Sequence, residues 1–432
     1  MPGWRLQDLT SPNTMQLKTI LNRVAKQPGF VFCAASFVTV AGRLELHVQV
    51  RERKGRRGVC SGCCVRRPGY DRLPERRYQF VPLWNIAVFF LYAARRVDCG
   101  RCGVTVELLP WAAGKSPLTT TFAWFLQSWA KVLSWKETGR RFGVSWHTVF
   151  EAVRHAVQWG REHQDLDSIR SIGVDELSWK KGHKYLTLVY QVDHHRKRLL
   201  WVGRDRTAAS FERFFEWLGA ERCKLIEFVT SDMWAAFLGT VARKVCGAVH
   251  VLDRFHVMKL FSKAIDEVRR DEARKLRGRG DTVTLKHTRW VLLKGRHKLS
   301  EKQTGRLNAL LRANLRTVRA YLLKEDFQSF WGYVSPFWAG RFLDGWTKVA
   351  LRARLPQFST LARTLRQHRT PLLNWFRARG KFAMGAVEGF NNKARVTTRM
   401  AYGFRTYEHA EIALFHRLGD LPEPPWLTHR FF

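Results

Sequence analysis

The sequence predicts a multidomain α/β protein whose mixed sheet carries helices on its faces and takes a large helical insertion. A cysteine-knuckle domain and a helix-turn-helix precede it. Three observations point there. Apolar runs at Ser171–Val174 and Phe228–Ser231 are each closed by an acid, Asp175 and Asp232, as expected of buried strands that deliver a carboxylate to a sheet edge. Strand-like and helix-like segments alternate between residues 171 and 252. From Val257 to about Gly380 the pattern is helical, with no convincing strand.

The chain of 432 residues carries 75 Lys and Arg against 36 Asp and Glu, a net charge of +39. With 45% hydrophobic residues, 18 Trp and 29 Phe it can bury a core, which excludes a simple disordered basic tail. A field this positive attracts polyanions, and counterion release would supply much of the affinity for a nucleic acid. The longest apolar stretches, around Phe30–Val40 and Ile86–Ala94, are too short to span a bilayer. No secretory signal opens the chain, so no membrane partner is expected. The length allows roughly two to four domains.

Residues 1–112 alternate short strand-like runs with turns, among them Phe30–Phe32 and Leu44–Val50. The charged run Arg51–Gly58 reads as a loop, either solvated or contacting phosphates. Eight cysteines in a chain of this character read as metal ligands or free thiols before disulfides. Cys60/Cys63 and Cys99/Cys102 form two C-x2-C knuckles, whose four thiolates suit one tetrahedral structural Zn²⁺. Cys64 competes with Cys63 for the ligand role. The long gap between the knuckles calls for a hairpin or arm. The domain is expected to have too little core to stand without its metal. Cys33, Cys223 and Cys246 read as isolated core cysteines.

Residues 113–165 turn helical after Pro117. Leu118–Val132, Trp135–Phe142 and Trp146–Trp159 read as three helices, with a turn at Gly143–Ser145 and Ser145 as the last helix's N-cap. Val149, Val153, Ala156 and Val157 recur at helical spacing. A short helix, a glycine turn and a capped longer helix make the helix-turn-helix pattern, which structural hairpins also share. In the DNA-binding reading, Ser145, Trp146, His147 and Thr148, with Arg154 further on, meet the major groove of double-stranded DNA.

Residues 166–256 hold the first part of the sheet. Strands at Ser171–Val174, Leu186–Val192 and Arg198–Val202 lead into a helix at Thr207–Leu218 with Phe211, Phe214, Phe215 and Leu218 on one face. A fourth strand at Leu225–Thr230, a helix at Met233–Val245 and a fifth strand at Ala248–Leu252 follow. This order resembles the RNase H-like architecture, in which the first and fourth strands each carry a catalytic aspartate. Asp193, after the second strand, reads as a turn residue. Asp253 closes the fifth strand and, with His256, is expected to orient the metal-binding acids rather than to join them. Residues 257–380 form the insertion, with Leu307, Leu311, Leu315, Val318 and Leu322 as one apolar stripe. Its Arg and Lys density suggests a DNA contact as well. Residues 381–432 return to the core, and Ala386–Lys393 reads as a helix bearing Glu388.

Asp175, Asp232 and Glu388 gathered in one pocket would repel one another and be expensive to bury. Two divalent cations that prefer oxygen, Mg²⁺ or Mn²⁺, remove that cost, and such a pair is suited to in-line phosphoryl transfer. In this scheme Asp175 bridges both ions while Asp232 and Glu388 each hold one. Lys393 and Arg399, further along the Glu388 helix, either grip phosphates beside the scissile bond or are plain surface charge.

The motifs carry a resemblance. Gly173-Val-Asp-Glu176, Lys181-Gly-His-Lys-Tyr185, Ser231-Asp-Met233, Asp253-Arg-Phe-His-Val257, Glu388-Gly-Phe-Asn-Asn-Lys393 and Tyr402-Gly-Phe-Arg405 resemble the DDE transposases of bacterial insertion sequences, nearest the ISL-three family. The resemblance is tight in the second half and looser around the zinc knuckles. It implies binding of terminal inverted repeats, cleavage at the element's ends and joining to target DNA. It further implies a homodimer or larger synaptic assembly and a cytoplasmic, nucleoid-associated protein. Two other functions share the features: a DNA-binding regulator that keeps the fold without the chemistry, and an RNase H-like nuclease or resolvase.

Overall fold

The computed structural model describes residues 16–427, apart from positions 181, 314 and 384 and the side chain of His297. Lys181, in one of the motifs above, therefore lies outside the described residues. The chain divides into two units, Met1–His163 with Leu421–Phe432, and Gln164–Asp420. Among the described residues, no helix is long and apolar enough to cross a membrane.

The first unit opens with α1 (Leu17–Val24), β1 (Phe30–Val40) and β2 (Arg43–Glu52). There follow β3 (Gly58–Val59), β4 (Arg66–Arg67), β5 (Gly69–Arg72), β6 (Arg76–Leu83), β7 (Ile86–Tyr92), β8 (Arg95–Cys99) and β9 (Gly103–Val106). The β6–β7 hairpin is what fills the gap between the knuckles. It leaves them and joins the first two strands in a four-stranded sheet of order β1-β2-β7-β6. Alternation along β2 turns Leu46, Val48 and Val50 inward to meet Phe30, Phe90 and Trp111. This unit thus has a hydrophobic core of its own, larger than the small core expected of it. The charged run differs from expectation too. Arg56 lies 3.9 Å over the Phe30 ring and donates at 3.3 Å to the buried Glu107, which also holds Arg95 at 2.8 Å. Burying the Glu107 carboxylate needs those cations, so Arg56 is spent on the interior.

Three helices follow: α2 (Thr120–Ala130), α3 (Trp135–Phe142) and α4 (Trp146–Glu162). Ser134 and Glu137 form a capping box on α3, and Ser145 caps α4 by accepting from the Thr148 N–H. Gly143 takes a left-handed φ of 69°, and a Cβ on Gly139 would sit 2.6 Å from the Val144 carbonyl oxygen. Val149, Val153, Ala156 and Val157 are buried, as their spacing predicts. Residues 421–427 pack here, with Glu423 paired to Lys131 at 3.0 Å and Trp426 edge-on to Trp124.

The second unit is built on a five-stranded sheet of order β12-β11-β10-β13-β14. Its strands are β10 (Ser171–Lys180), β11 (Lys184–Val192), β12 (Lys197–Gly203), β13 (Phe228–Ser231) and β14 (Val249–Leu252). The first three run antiparallel, and β13 and β14 add in parallel to β10. Between strands lie α5 (Ala208–Leu218), the short α6 (Ala220–Cys223) and α7 (Ala235–Lys244). Phe211, Phe214, Phe215 and Phe237 bury themselves against Ile172, Val174 and Val229 on one face of the sheet. Asp193 does follow β11, but as a buried group: it accepts from the Arg170 N–H and the Gln191 amide. Of the three isolated cysteines only Cys223 is buried; Cys33 is half-buried and Cys246 exposed.

From α8 (Arg254–Arg277) the chain is helical: α9 (Arg289–Leu293), α10 (Glu301–Arg312), α11 (Arg316–Gln328), α12 (Pro336–Arg352), α13 (Pro356–Gln367), α14 (Arg369–Ala378), α15 (Ala386–Met400) and α16 (Tyr407–Leu418). The apolar stripe expected from Leu307 to Leu322 is not continuous. The helix stops at Arg312, Leu315 is extended, and Leu322 faces solvent. The buried carboxylate of Glu272 on α8 accepts from the N–H groups of Arg316 and Thr317 at 2.7 Å. It satisfies the open donors of a new helix start and turns α11 so that Tyr321 and Phe327 go inward instead.

Candidate active site and metal centre

Strand register sets the acids side by side. Gly173 pairs with Thr230 across β10 and β13, and Ser231 with Leu252 across β13 and β14. Two residues beyond the first pair stand Asp175 and Asp232; one beyond the second stand Asp232 and Asp253. Adjacent strands lie roughly 4.8 Å apart, so three aspartates share one level, where β13 and β14 end; β10 runs on to Lys180, so Asp175 stands inside its strand rather than closing it. Strand alternation turns Asp175 to the same face as Gly173, opposite Ile172 and Val174 and their phenylalanines. On that face Gly173 meets Val387, and the next residue of α15 is Glu388.

Asp175, Asp232, Asp253 and Glu388 all line one cavity of about 650 Å³. Burial pushes the Asp175 carboxyl above its ordinary range, with Asp232 and Asp253 adding to the effect and His256 opposing it. Its oxygens accept from the Glu176 N–H at 2.7 Å and from the Asn391 amide. The Tyr190 hydroxyl donates to Asn391 at 2.8 Å, fixing that amide's orientation. Asp232 accepts from the Trp234 N–H at 3.0 Å.

Asp253 is held by two local partners. It caps α8 by accepting from the Phe255 N–H at 2.8 Å, and its other oxygen lies 3.2 Å from His256 Nδ1. The opposite ring nitrogen, Nε2, is 3.8 Å from Asp175 Oδ1. Burial alone would lower the His256 pKa. The Asp253 hydrogen bond and the surrounding carboxylates outweigh it and raise the value above that of free imidazole.

Cations ring the cavity. Arg206, Lys259, Arg395 and Arg399 line it. Arg206 pairs with Glu176 at 3.2 Å and lies 4.8 Å over the Tyr185 ring. Burial raises Glu176 above its ordinary range, as it does Asp175. Lys393 is not in this lining; its ammonium sits 5.8 Å from the Phe390 ring. The carboxylate donors suit a hard, oxygen-preferring ion, and among the described residues half-buried Asp175 has no cationic partner closer than His256.

The sulfur site is separate. The Sγ atoms of Cys60, Cys63, Cys99 and Cys102 lie within 4.8 Å of one another, the one group of metal-type donors gathered that tightly among the described residues. Cys63 and Cys99 approach to 3.6 Å. Cys64 is exposed, with φ 58°, and serves the turn by donating its N–H to the Cys60 carbonyl. Cys63, not Cys64, therefore completes the cluster. A hydrogen bond with Thr105 and backbone N–H groups lower the Cys60 thiol to about 6, toward the thiolate a soft metal requires.

In the helix-turn-helix, Ser145 is the cap of α4, Trp146 and His147 are exposed, and Thr148 is half-buried. Arg154 is half-buried and paired with Glu151 one turn back.

A family profile described as a transposase, of the ISL3 type of DDE transposases, matches residues 172–414, more than half of the chain. The chain belongs to the ISL3 family of transposases. It is 29% identical over 354 residues to the transposase for insertion sequence element IS1001 of Bordetella parapertussis, covering 81% of this chain and 86% of that protein. It is 30% identical over 408 residues to the transposase for insertion sequence element IS1557 of Mycobacterium tuberculosis, covering 87% of this chain and 89% of that protein.

Sequence reasoning missed several residues that this transposase brings to the cavity. Asn391 stands three residues after Glu388, on the same helical face, and that spacing was the available signal. Arg206 and Lys259 gave none, being two cations among 75.

Proposed function

We propose that this transposase binds the terminal inverted repeats of its element and cuts and rejoins DNA there by metal-dependent phosphoryl transfer. One observation carries the reading: acids from two adjacent parallel strands and a later helix, Asp175, Asp232 and Glu388, line a single cavity edged by cations. These three would hold two Mg²⁺ or Mn²⁺ ions, which when bound stabilise charge on the attacking and leaving oxygens. Asn391, fixed by Tyr190, holds the Asp175 carboxylate in its orientation. His256 couples Asp175 to Asp253 and keeps both from drifting toward the bound strand. Arg206, Lys259, Arg395 and Arg399 hold the phosphates on either side of the scissile bond.

Recognition is assigned to the other unit. Ser145, Trp146, His147 and Thr148 start the α4 helix as the reading head for the major groove, with Arg154 alongside. Lys393, exposed on α15, and the net charge of +39 add sequence-independent grip. Cys60, Cys63, Cys99 and Cys102 hold a structural Zn²⁺. Bringing two ends together requires at least two copies of the chain.

Purified protein mixed with duplexes carrying the element's ends should nick them at the boundary in Mg²⁺ or Mn²⁺ and not in chelator. Binding that never leads to nicking in either ion would contradict the proposal.

A further inference from the structure

A second cavity, of about 380 Å³, opens beside the carboxylates and shares Asp253, Phe255 and Glu388 with the first. Its other walls are largely apolar, including Leu252, Met258 and Trp375. Such a hollow has no use for a phosphate, yet it adjoins the acids that face one. Its aromatic wall is fixed. Trp375 stands edge-on to Trp331 with ring centroids 5.1 Å apart, and the Trp331 indole N–H donates to Met258 Sδ at 3.3 Å. Phe255, 48% exposed, stands on the divide between the cavities with a face open to solvent.

Two guanidiniums flank this wall. Arg254 lies 5.4 Å from the Trp331 ring centroid and Arg379 lies 5.6 Å from that of Trp375. Among the described residues neither has a carboxylate at ion-pair distance. Burial, and then the like charge of Arg379, lower the Arg254 pKa. Arg379 donates to the Tyr333 carbonyl at 3.4 Å. An apolar slot with aromatic walls and cations without carboxylate partners beside it matches a nucleotide: a flat base for the slot and phosphates for the arginines.

We propose that this cavity receives one unstacked nucleobase of the DNA strand held at the carboxylates, set against Phe255, with Arg254 and Arg379 on its flanking phosphates. The inference rests on the reading of the first cavity as the phosphoryl-transfer site. Swinging one base aside bends the backbone and brings the neighbouring phosphodiester toward Asp175 and Glu388.

The test uses the full chain and duplexes spanning the junction between element end and flank, with 2-aminopurine placed at one position at a time. Binding should raise the fluorescence at a single position next to the cleavage site and leave the others quenched. Phe255→Ala should cut that rise and slow cleavage by about tenfold. Removing the base at that position, leaving an abasic nucleotide, should make wild type and Phe255→Ala cut alike, which a folding defect would not do. Cleavage of the same duplexes in Mg²⁺ is scored separately. Cutting with no unquenched position overturns the pocket and leaves the proposed function standing. An unquenched position without cutting supports the pocket and counts against the chemistry.

Discussion

Gly173 faces Val387 so closely that a Cβ on the glycine would lie 2.3 Å from the valine's Cγ2. The strand that carries Asp175 and the helix that carries Glu388 touch at this point. Only a hydrogen fits there, because Thr230 and Val192 close the other sides at 3.1 and 3.4 Å. Gly173→Ala should therefore push α15 outward, destabilise the unit by about 1–3 kcal/mol and slow cleavage by roughly 100-fold. The double variant Gly173→Ala/Val387→Ala should recover much of both. Thermal unfolding and a cleavage assay check this, and an unaffected single variant would show that the close contact does not set the Glu388 position.

The Tyr190–Asn391–Asp175 chain makes a second prediction. Asn391→Ala leaves a buried hydroxyl without its acceptor and removes a donor from the Asp175 carboxylate. Cleavage should fall about 10–100-fold while binding to DNA ends holds. Tyr190→Phe, which loses one hydrogen bond, should be milder, about 1 kcal/mol in stability. Equal cleavage by Asn391→Ala and wild type would free Asp175 of any dependence on this amide.

Zinc analysis of the purified chain should find one ion. Cys60→Ser or Cys99→Ser should lose it, and Cys64→Ser should keep it, because the four gathered thiols leave Cys64 outside. Circular dichroism should show the β1-β2-β7-β6 sheet surviving the loss, since its core is separate from the knuckles. Zinc loss in Cys64→Ser would reassign the ligand.

Acid stability should depend on His250. Its Nε2 lies 2.7 Å from Ser231 Oγ, beside Asp232, and burial pushes its pKa down to about 4. Well above pH 6.5 the ring is neutral in folded and unfolded chains alike and contributes no pH dependence. Between about 6.5 and 4 only the unfolded chain takes up the proton, so stability falls as the pH drops, by at most about 3 kcal/mol. Urea unfolding of His250→Gln should show a shallower acid slope over that window. Identical slopes would assign the acid sensitivity to other groups.

The sheet was legible in its apolar runs, and Asp175 and Asp232 because each follows one, although β10 continues past Asp175 to Lys180. Glu388 could be named because it sits in a dense motif on a helix. What escaped depends on partners distant in sequence. Nothing near Ala313–Leu315 announces that Glu272, about 40 residues earlier, caps a new helix there, so one stripe was read where two helices stand. Arg56 looked like a solvated or phosphate-contacting charge because its partner Glu107 lies far along the chain. Lys393 and Arg399 looked equivalent on one helix, yet only Arg399 lines the cavity, together with Arg395.

The most direct measurement compares end binding with strand cleavage in Asp175→Asn, Asp232→Asn and Glu388→Gln under Mg²⁺ and Mn²⁺. Each removes one negative charge at nearly constant shape. The account predicts that all three bind the ends as wild type does and that none cuts above background in either ion. Cleavage retained by any one of them would contradict a site in which the three acids act together.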